Sequence, residues 1–281
     1  MYLTINNPCA CMDSLTGLND KQYLLRRMDE LTDAHKAFHI ITVYAYQLDH
    51  INKVAGVQNG DEFLRRAAER MQEIADRNVF RISGKRFLLM TFSLREYETC
   101  LTRLRQLFHT QPDDAHAAPT PVILCGVVNA EKLGTSGLVL DYAEYLESLV
   151  SRSGETQVIQ NDRKTMDSFH YNKQVEQFLH RAIAEDLFEV YYQPVYSLHQ
   201  QRFVTLEALS RLRHPELGWI SPDVFIRLAE KNRLIDALTD LQLRRVCRFL
   251  KSHEDVARQI DSVKVNLSAL NLMQEHCAEP L

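Results

Sequence analysis

The chain has 281 residues, 45% hydrophobic and 25% charged, with nine Gly and eight Pro; these globular proportions exclude membrane-spanning, collagen-like and disulfide-scaffold classes. A net charge of −4 lacks the basic excess of a protein that wraps a nucleic acid polymer. No apolar run approaches the 18 or so residues of a membrane helix, Met1–Met12 has no basic start before an apolar stretch, and the cysteines at 9, 11, 100, 125, 247 and 277 form no metal pattern; the expectation is a soluble, cytoplasmic protein with reduced thiols.

In chain order, the pattern predicts a helix over Lys21–Leu31 and a strand over Phe38–Tyr46. A long amphipathic helix opens at Gly60, with Phe63, Leu64, Ala67, Met71 and Ile74 on one face. Val79–Ser83 and Phe87–Phe92 flank Gly84 as a β-hairpin. Glu96–Phe108 is helical, Gln111–Pro121 a loop, Val122–Asn129 a strand, Gly137–Ser151 a helix and Thr156–Gln160 a last short strand. This order predicts an α/β domain with a mixed central sheet. Downstream come a helix over Val175–Glu185, strands over Phe188–Tyr196 and Phe203–Leu209, and a helix start at Ser221-Pro222-Asp223. A helix over Ile235–Phe249 and a strand over Val263–Leu267 follow. The expected domains are 1–160, a linker 161–173, and 174–281.

Five blocks in the second half carry chemistry: Tyr192-Gln193-Pro194; Glu207-Ala208-Leu209-Ser210-Arg211; His214-Pro215 with Gly218, Ile220 and Pro222; Phe225 to Glu230; and Asn266-Leu267-Ser268. In order and spacing they resemble the front half of EAL domains, the bacterial cyclic-di-GMP phosphodiesterases. The resemblance implies a partial (β/α)8 barrel, with Glu207 and Asn266 as ligands of Mg²⁺ or Mn²⁺, hard ions that prefer carboxylate and amide oxygens. It implies that Arg211 neutralises a phosphate, that Gln193 hydrogen-bonds the ligand, and that Leu209 belongs to the same substrate site. Taken singly, Glu207 could be a cross-strand ion-pair partner and Asn266 a turn former. Residues 174–281 supply fewer than half of the roughly 250 residues a (β/α)8 barrel needs, and the family's later carboxylates and lysine are absent. The expectation is that the parent chain continues past Leu281 and that this stretch alone is inactive.

The first half resembles GGDEF domains, the diguanylate cyclase fold, through Asp13-Ser14-Leu15-Thr16-Gly17-Leu18, then Ile51-Asn52, Gly56 and Gly60-Asp61. Asn59-Gly60-Asp61-Glu62-Phe63 nearly spells the cyclase signature, but it leads into the amphipathic helix, whereas the signature sits at a hairpin tip. The tip is Ser83-Gly84-Lys85-Arg86-Phe87, so two basic residues replace the two acids. The other metal position falls on Tyr44, the expected helix lysine on Ser148, and the inhibitory R-x-x-D positions on Ile74 and Arg77. Cyclase activity is not expected, because two Mg²⁺ ions need those carboxylates.

Asn52 and Asp61 fall where relatives read guanine; the plainer alternative is that Asp61 caps the helix after Gly60 and Asn52 fills a turn. If guanine enters, Lys85 and Arg86 could meet the phosphates in place of metal, giving a GTP sensor; otherwise they are a solvated hairpin tip. The expected function is cyclic-di-GMP signalling, with a degenerate regulatory GGDEF domain attached to an EAL domain whose intact parent yields linear pGpG. The EAL resemblance implies a module of a kind that forms homodimers, and the sequence alone leaves the oligomeric state open. The alternative is a non-catalytic receptor for cyclic-di-GMP or GTP, or an interaction scaffold.

Overall fold

Asn19 and Asp20 form a two-residue strand, β1 (Asn19–Asp20), and the Asp20 carboxylate then accepts the Tyr23 N–H to cap α1 (Lys21–Asp33). The computed structural model describes residues 11–109 and 121–273, so all but Pro121 of the loop expected over Gln111–Pro121, and the cysteines at 9 and 277, lie outside the described residues. Two compact units part between Met166 and Asp167.

In the first unit β2 (His39–Tyr44) leads to α2 (Leu48–Ala55) and α3 (Val57–Ala75). The hairpin of β3 (Val79–Ser83) and β4 (Arg86–Thr91) comes next, then α4 (Leu94–His109), β5 (Ile123–Val127), α5 (Ser136–Ser148) and β6 (Gln157–Gln160). The sheet order is β1-β3-β4-β2-β5-β6. β1 lies parallel to β3 and β6 parallel to β5, while the other pairs are antiparallel. This is the mixed sheet that the sequence predicts. Ile41, Val43, Leu89 and Leu124 pack with Leu64, Met71 and Leu104 in one buried cluster.

Two expectations need correction here. The helix with Phe63 and Leu64 begins at Val57 rather than Gly60, and a separate α2 precedes it. Gly56, at φ 89°, supplies the break between them, a backbone angle glycine adopts without steric cost. Asn52 therefore sits inside α2 rather than in a turn, and Asp61 lies within α3 rather than at its cap.

α6 (Arg163–Ala184) is a single 22-residue helix that begins four residues before the second unit. It takes in most of the residues expected as a linker, and Asp162 accepts the Thr165 N–H at 2.7 Å at its start. Strands β7 (Glu189–Ser197) and β8 (Arg202–His214) form an antiparallel hairpin. β8 runs past the expected end at Leu209 and pairs with β9 (Gly218–Ile220). Then come α7 (Pro222–Lys231), α8 (Ile235–Ser252), α9 (Glu254–Ala257), β10 (Ser262–Val265) and α10 (Ala269–Leu272). β10 lies parallel to β8, so α7 and α8 are the helical crossover that parallel neighbours require. Val175, Leu179, Phe188, Leu212 and Phe225 form the core of this unit. Among the described residues no helix is long and apolar enough to cross a membrane.

The described cysteines 11, 100, 125 and 247 are all free. Cys100 and Cys125 are buried, and burial pushes both thiols up. Iodoacetamide at pH 8 is therefore expected to alkylate exposed Cys247 in the folded protein and to reach Cys100 and Cys125 only after denaturation. Site-resolved mass spectrometry checks this order.

Candidate functional site

Strand alternation decides which candidates can act together, since residues two apart share a face and pleat-paired residues point the same way. Along β8 that places Glu207, Leu209, Arg211 and Arg213 on one face. Gln193 is paired with Glu207, Tyr191 with Leu209, and Glu189 with Arg211. On the other side of β8, Lys264 is paired with Glu207, and Asn266 follows two residues later. All five candidates of this half (Gln193, Glu207, Leu209, Arg211 and Asn266) thus share one face.

The Asn266 Nδ2 donates to Glu207 Oε1 at 3.0 Å. The opposite face is covered by α8: Gln242 Nε2 donates to the Ala208 carbonyl at 2.7 Å, and Tyr192 stacks on Phe249 with ring centroids 4.1 Å apart. The turn that carries Asn266 is held by Ser268, whose hydroxyl donates to Glu230 Oε1 at 2.5 Å while Asn271 completes a capping box with it.

One carboxylate and one carboxamide oxygen suit Mg²⁺ or Mn²⁺ in kind. In number they are few. Among the described residues no three His, Cys, Asp or Glu side chains gather to hold a metal ion.

The candidates of the first unit do not converge. Lys85 Nζ reaches Asp49 on α2, while Arg86 Nε donates to Glu147 Oε2 on α5 at 2.8 Å. Lys85 belongs to the hairpin turn and Arg86 opens β4, and their different partners draw the two cations apart. Neither is a free group awaiting a phosphate.

Glu147 has only 4% of its side chain exposed, and its second oxygen accepts the Thr42 hydroxyl at 3.3 Å. Burial raises its pKa, against the downward pull of Arg86 and Thr42. Burial lowers the basicity of Arg86, but Glu147, Glu144 and Tyr44 together more than restore it, so it stays firmly charged, with its guanidinium 4.4 Å over the Tyr44 ring. Tyr44, Lys85 and Arg86 do not fit a metal ion.

Asn52 Oδ1 is buried with no hydrogen-bond partner and lies against Gly60, where an added Cβ would come within 1.9 Å of it. Asp61 is the next residue along α3 and is half-buried.

Sequence reasoning missed Asp49, Glu147 and Lys264. Glu147 carried one usable signal: it sits four residues after Ala143 and one after Leu146 on the buried side of α5, a face where a carboxylate needs a partner.

Residues 10–140 match the family "Diguanylate cyclase, GGDEF domain", and residues 176–281 match "EAL domain". The chain is 29% identical over 284 residues to the cyclic di-GMP phosphodiesterase NbdA of Pseudomonas aeruginosa, covering 94% of this chain and 35% of NbdA. It is 26% identical over 275 residues to the signaling protein YkoW of Bacillus subtilis, covering 92% of this chain and 34% of YkoW. The chain therefore spans about a third of the length of these relatives. Among solved structures, the S helix-GGDEF-EAL portion of Vibrio cholerae LapD, bound to c-di-GMP, is similar in fold with a TM-score of 0.57. That likeness carries 14% identity and covers 96% of this chain and 64% of LapD's.

Proposed function

The chain belongs to the tandem GGDEF–EAL proteins, and on that premise we propose that it works in cyclic-di-GMP signalling, with its EAL face as the ligand site and its GGDEF domain catalytically silent. The observation that carries this reading is the sharing of one sheet face by Gln193, Glu207, Leu209 and Arg211, with Asn266 bonded to Glu207.

Glu207 and Asn266 would hold Mg²⁺ or Mn²⁺, which supplies an acidified water and offsets phosphodiester charge. Arg211 pairs a phosphate oxygen, Gln193 offers an amide to the ligand, and Leu209 between them gives an apolar floor. In a longer parent chain this face would serve hydrolysis to pGpG. The first domain lacks carboxylates where a cyclase holds its metals, and its two hairpin cations are already paired.

Equilibrium dialysis with labelled cyclic-di-GMP and Mn²⁺ tests the ligand. Binding is expected, weakened at least about tenfold by Arg211→Ala, the loss of one charge-assisted contact. Absence of binding at millimolar ligand overturns the reading.

One observation favours a second role for the GGDEF domain. The unpaired Asn52 Oδ1 is an acceptor that a guanine N–H could satisfy. Calorimetry with GTP in EDTA is expected to give heat that Asn52→Ala abolishes and Lys85→Ala leaves unchanged; no heat at millimolar GTP overturns this role.

A further inference from the structure

Beyond the candidate ligands, the same sheet face carries an aromatic–cation ladder. Tyr191, opposite Leu209, meets Trp219 edge to face with centroids 6.2 Å apart and planes at 78°. The Arg211 guanidinium stands 5.7 Å over the Tyr191 ring, and that of Arg213 stands 5.9 Å over Trp219, its register partner on β9. Large aromatic rings are normally buried, yet Tyr191 is 49% exposed and Trp219 52%. With one guanidinium over each ring, the solvent-exposed remainder of the two rings is the surface a flat guest can reach.

We propose that Tyr191 and Trp219 form a stacking platform for one base of the dinucleotide, placed by Arg211 and Arg213. This deepens the proposed function and rests on it. Arg211 and Arg213 are two residues apart on a strand, about 7 Å, comparable to the separation of a nucleotide's phosphate from its base. A phosphate on Arg211 therefore brings its base over the platform. Stacking on an aromatic ring is tolerant of base identity, because every base has a π-face. The platform thus contributes affinity, while discrimination among bases falls to the polar groups nearby.

Trp219 is the only tryptophan in the chain, so it reports its own contact. Cyclic-di-GMP is expected to quench its emission along the same saturation curve that equilibrium dialysis gives. Trp219→Ala should raise the Kd about tenfold, and Trp219→Phe, which keeps an aromatic face, by less than about threefold. Tyr191→Ala should weaken binding in the same range. Circular dichroism controls for folding, which an exposed ring should not govern. Dialysis showing full binding with no quench, or with Trp219→Ala unaffected, overturns the platform and leaves the family reading standing. Dialysis showing no binding overturns both.

Discussion

Arg86→Leu is expected to destabilise the first unit by about 3–5 kcal/mol, the usual consequence of stranding a buried charge. The carboxylate left behind is that of Glu147, with 4% of its side chain exposed, and only the Thr42 hydroxyl remains to it. Glu144, 3.8 Å from Arg86, would then add repulsion without relief. Arg86→Glu, which restores an acid at the position where cyclases carry one, is expected to be worse, because two carboxylates would face each other. The double variant Arg86→Leu/Glu147→Leu should recover most of the loss, since replacing both members of a buried pair by apolar groups is often neutral.

The loss in Arg86→Leu should also depend on pH with a definite sign. Burial holds the folded-state pKa of Glu147 above its usual value, and removing Arg86 raises it further. A group whose carboxyl pKa is higher folded than unfolded favours the folded state at low pH and loses that advantage as pH rises through the folded pKa. The deficit should therefore be largest at pH 7 and shrink toward pH 4. Urea unfolding of both proteins across that range measures it, and a deficit that grows on acidification would contradict the assignment.

The second large effect is expected at Gly126, the penultimate residue of β5. A Cβ there would sit 1.8 Å from Tyr97 Oη and 2.9 Å from its Cζ. Tyr97 is 2% exposed and accepts a hydrogen bond from Gln160 Nε2 at 2.9 Å, so the ring cannot swing away. Gly126→Ala should cost about 3 kcal/mol, at the upper end for overpacking. Tyr97→Phe alone forfeits one hydrogen bond, about 1 kcal/mol. Combined with Gly126→Ala it should be more stable than Gly126→Ala alone, because the nearest clashing atom is gone. Gly60→Ala is the instructive contrast. Its Cβ would meet the end of the Asn52 carboxamide at 1.9 Å, which can rotate aside, and alanine gains about 1 kcal/mol over glycine inside a helix. Its net change should lie within about 1 kcal/mol of zero, as chemical denaturation of the four variants would reveal.

What the sequence made readable was local. Gly84 between two apolar strands announced the hairpin and Pro222 after Ser221 announced α7, while the strand expected over Phe203–Leu209 took in Glu207 and Leu209 but stopped short of Arg211. What it hid was non-local or short. Lys85 finds Asp49 36 residues away and Arg86 finds Glu147 at 61, and no periodicity encodes such pairings. Without them, two adjacent cations on a hairpin resemble a phosphate grip; with them, the cations are occupied. The eight-residue α2 was too short for its pattern to stand out, so Gly60, rather than Gly56, looked like the start of the long helix. Trp219 and Tyr191 each looked unremarkable in sequence, because what matters is their meeting across a strand neither belongs to.

The order of the first sheet has a consequence for how the chain is made. β2 lies between β4 and β5, but Tyr44 pairs with Ile123, about 80 residues later. At a synthesis rate of roughly 5–20 residues per second, β2 waits about 4–16 s after its own emergence before its second neighbour exists. During that interval a strand of sequence His-Ile-Ile-Thr-Val-Tyr presents an open hydrogen-bonding edge, while neighbouring ribosomes on the same message carry further copies of the same nascent segment. Crowded translation is therefore the moment at which this domain is most exposed to pairing with the wrong chain.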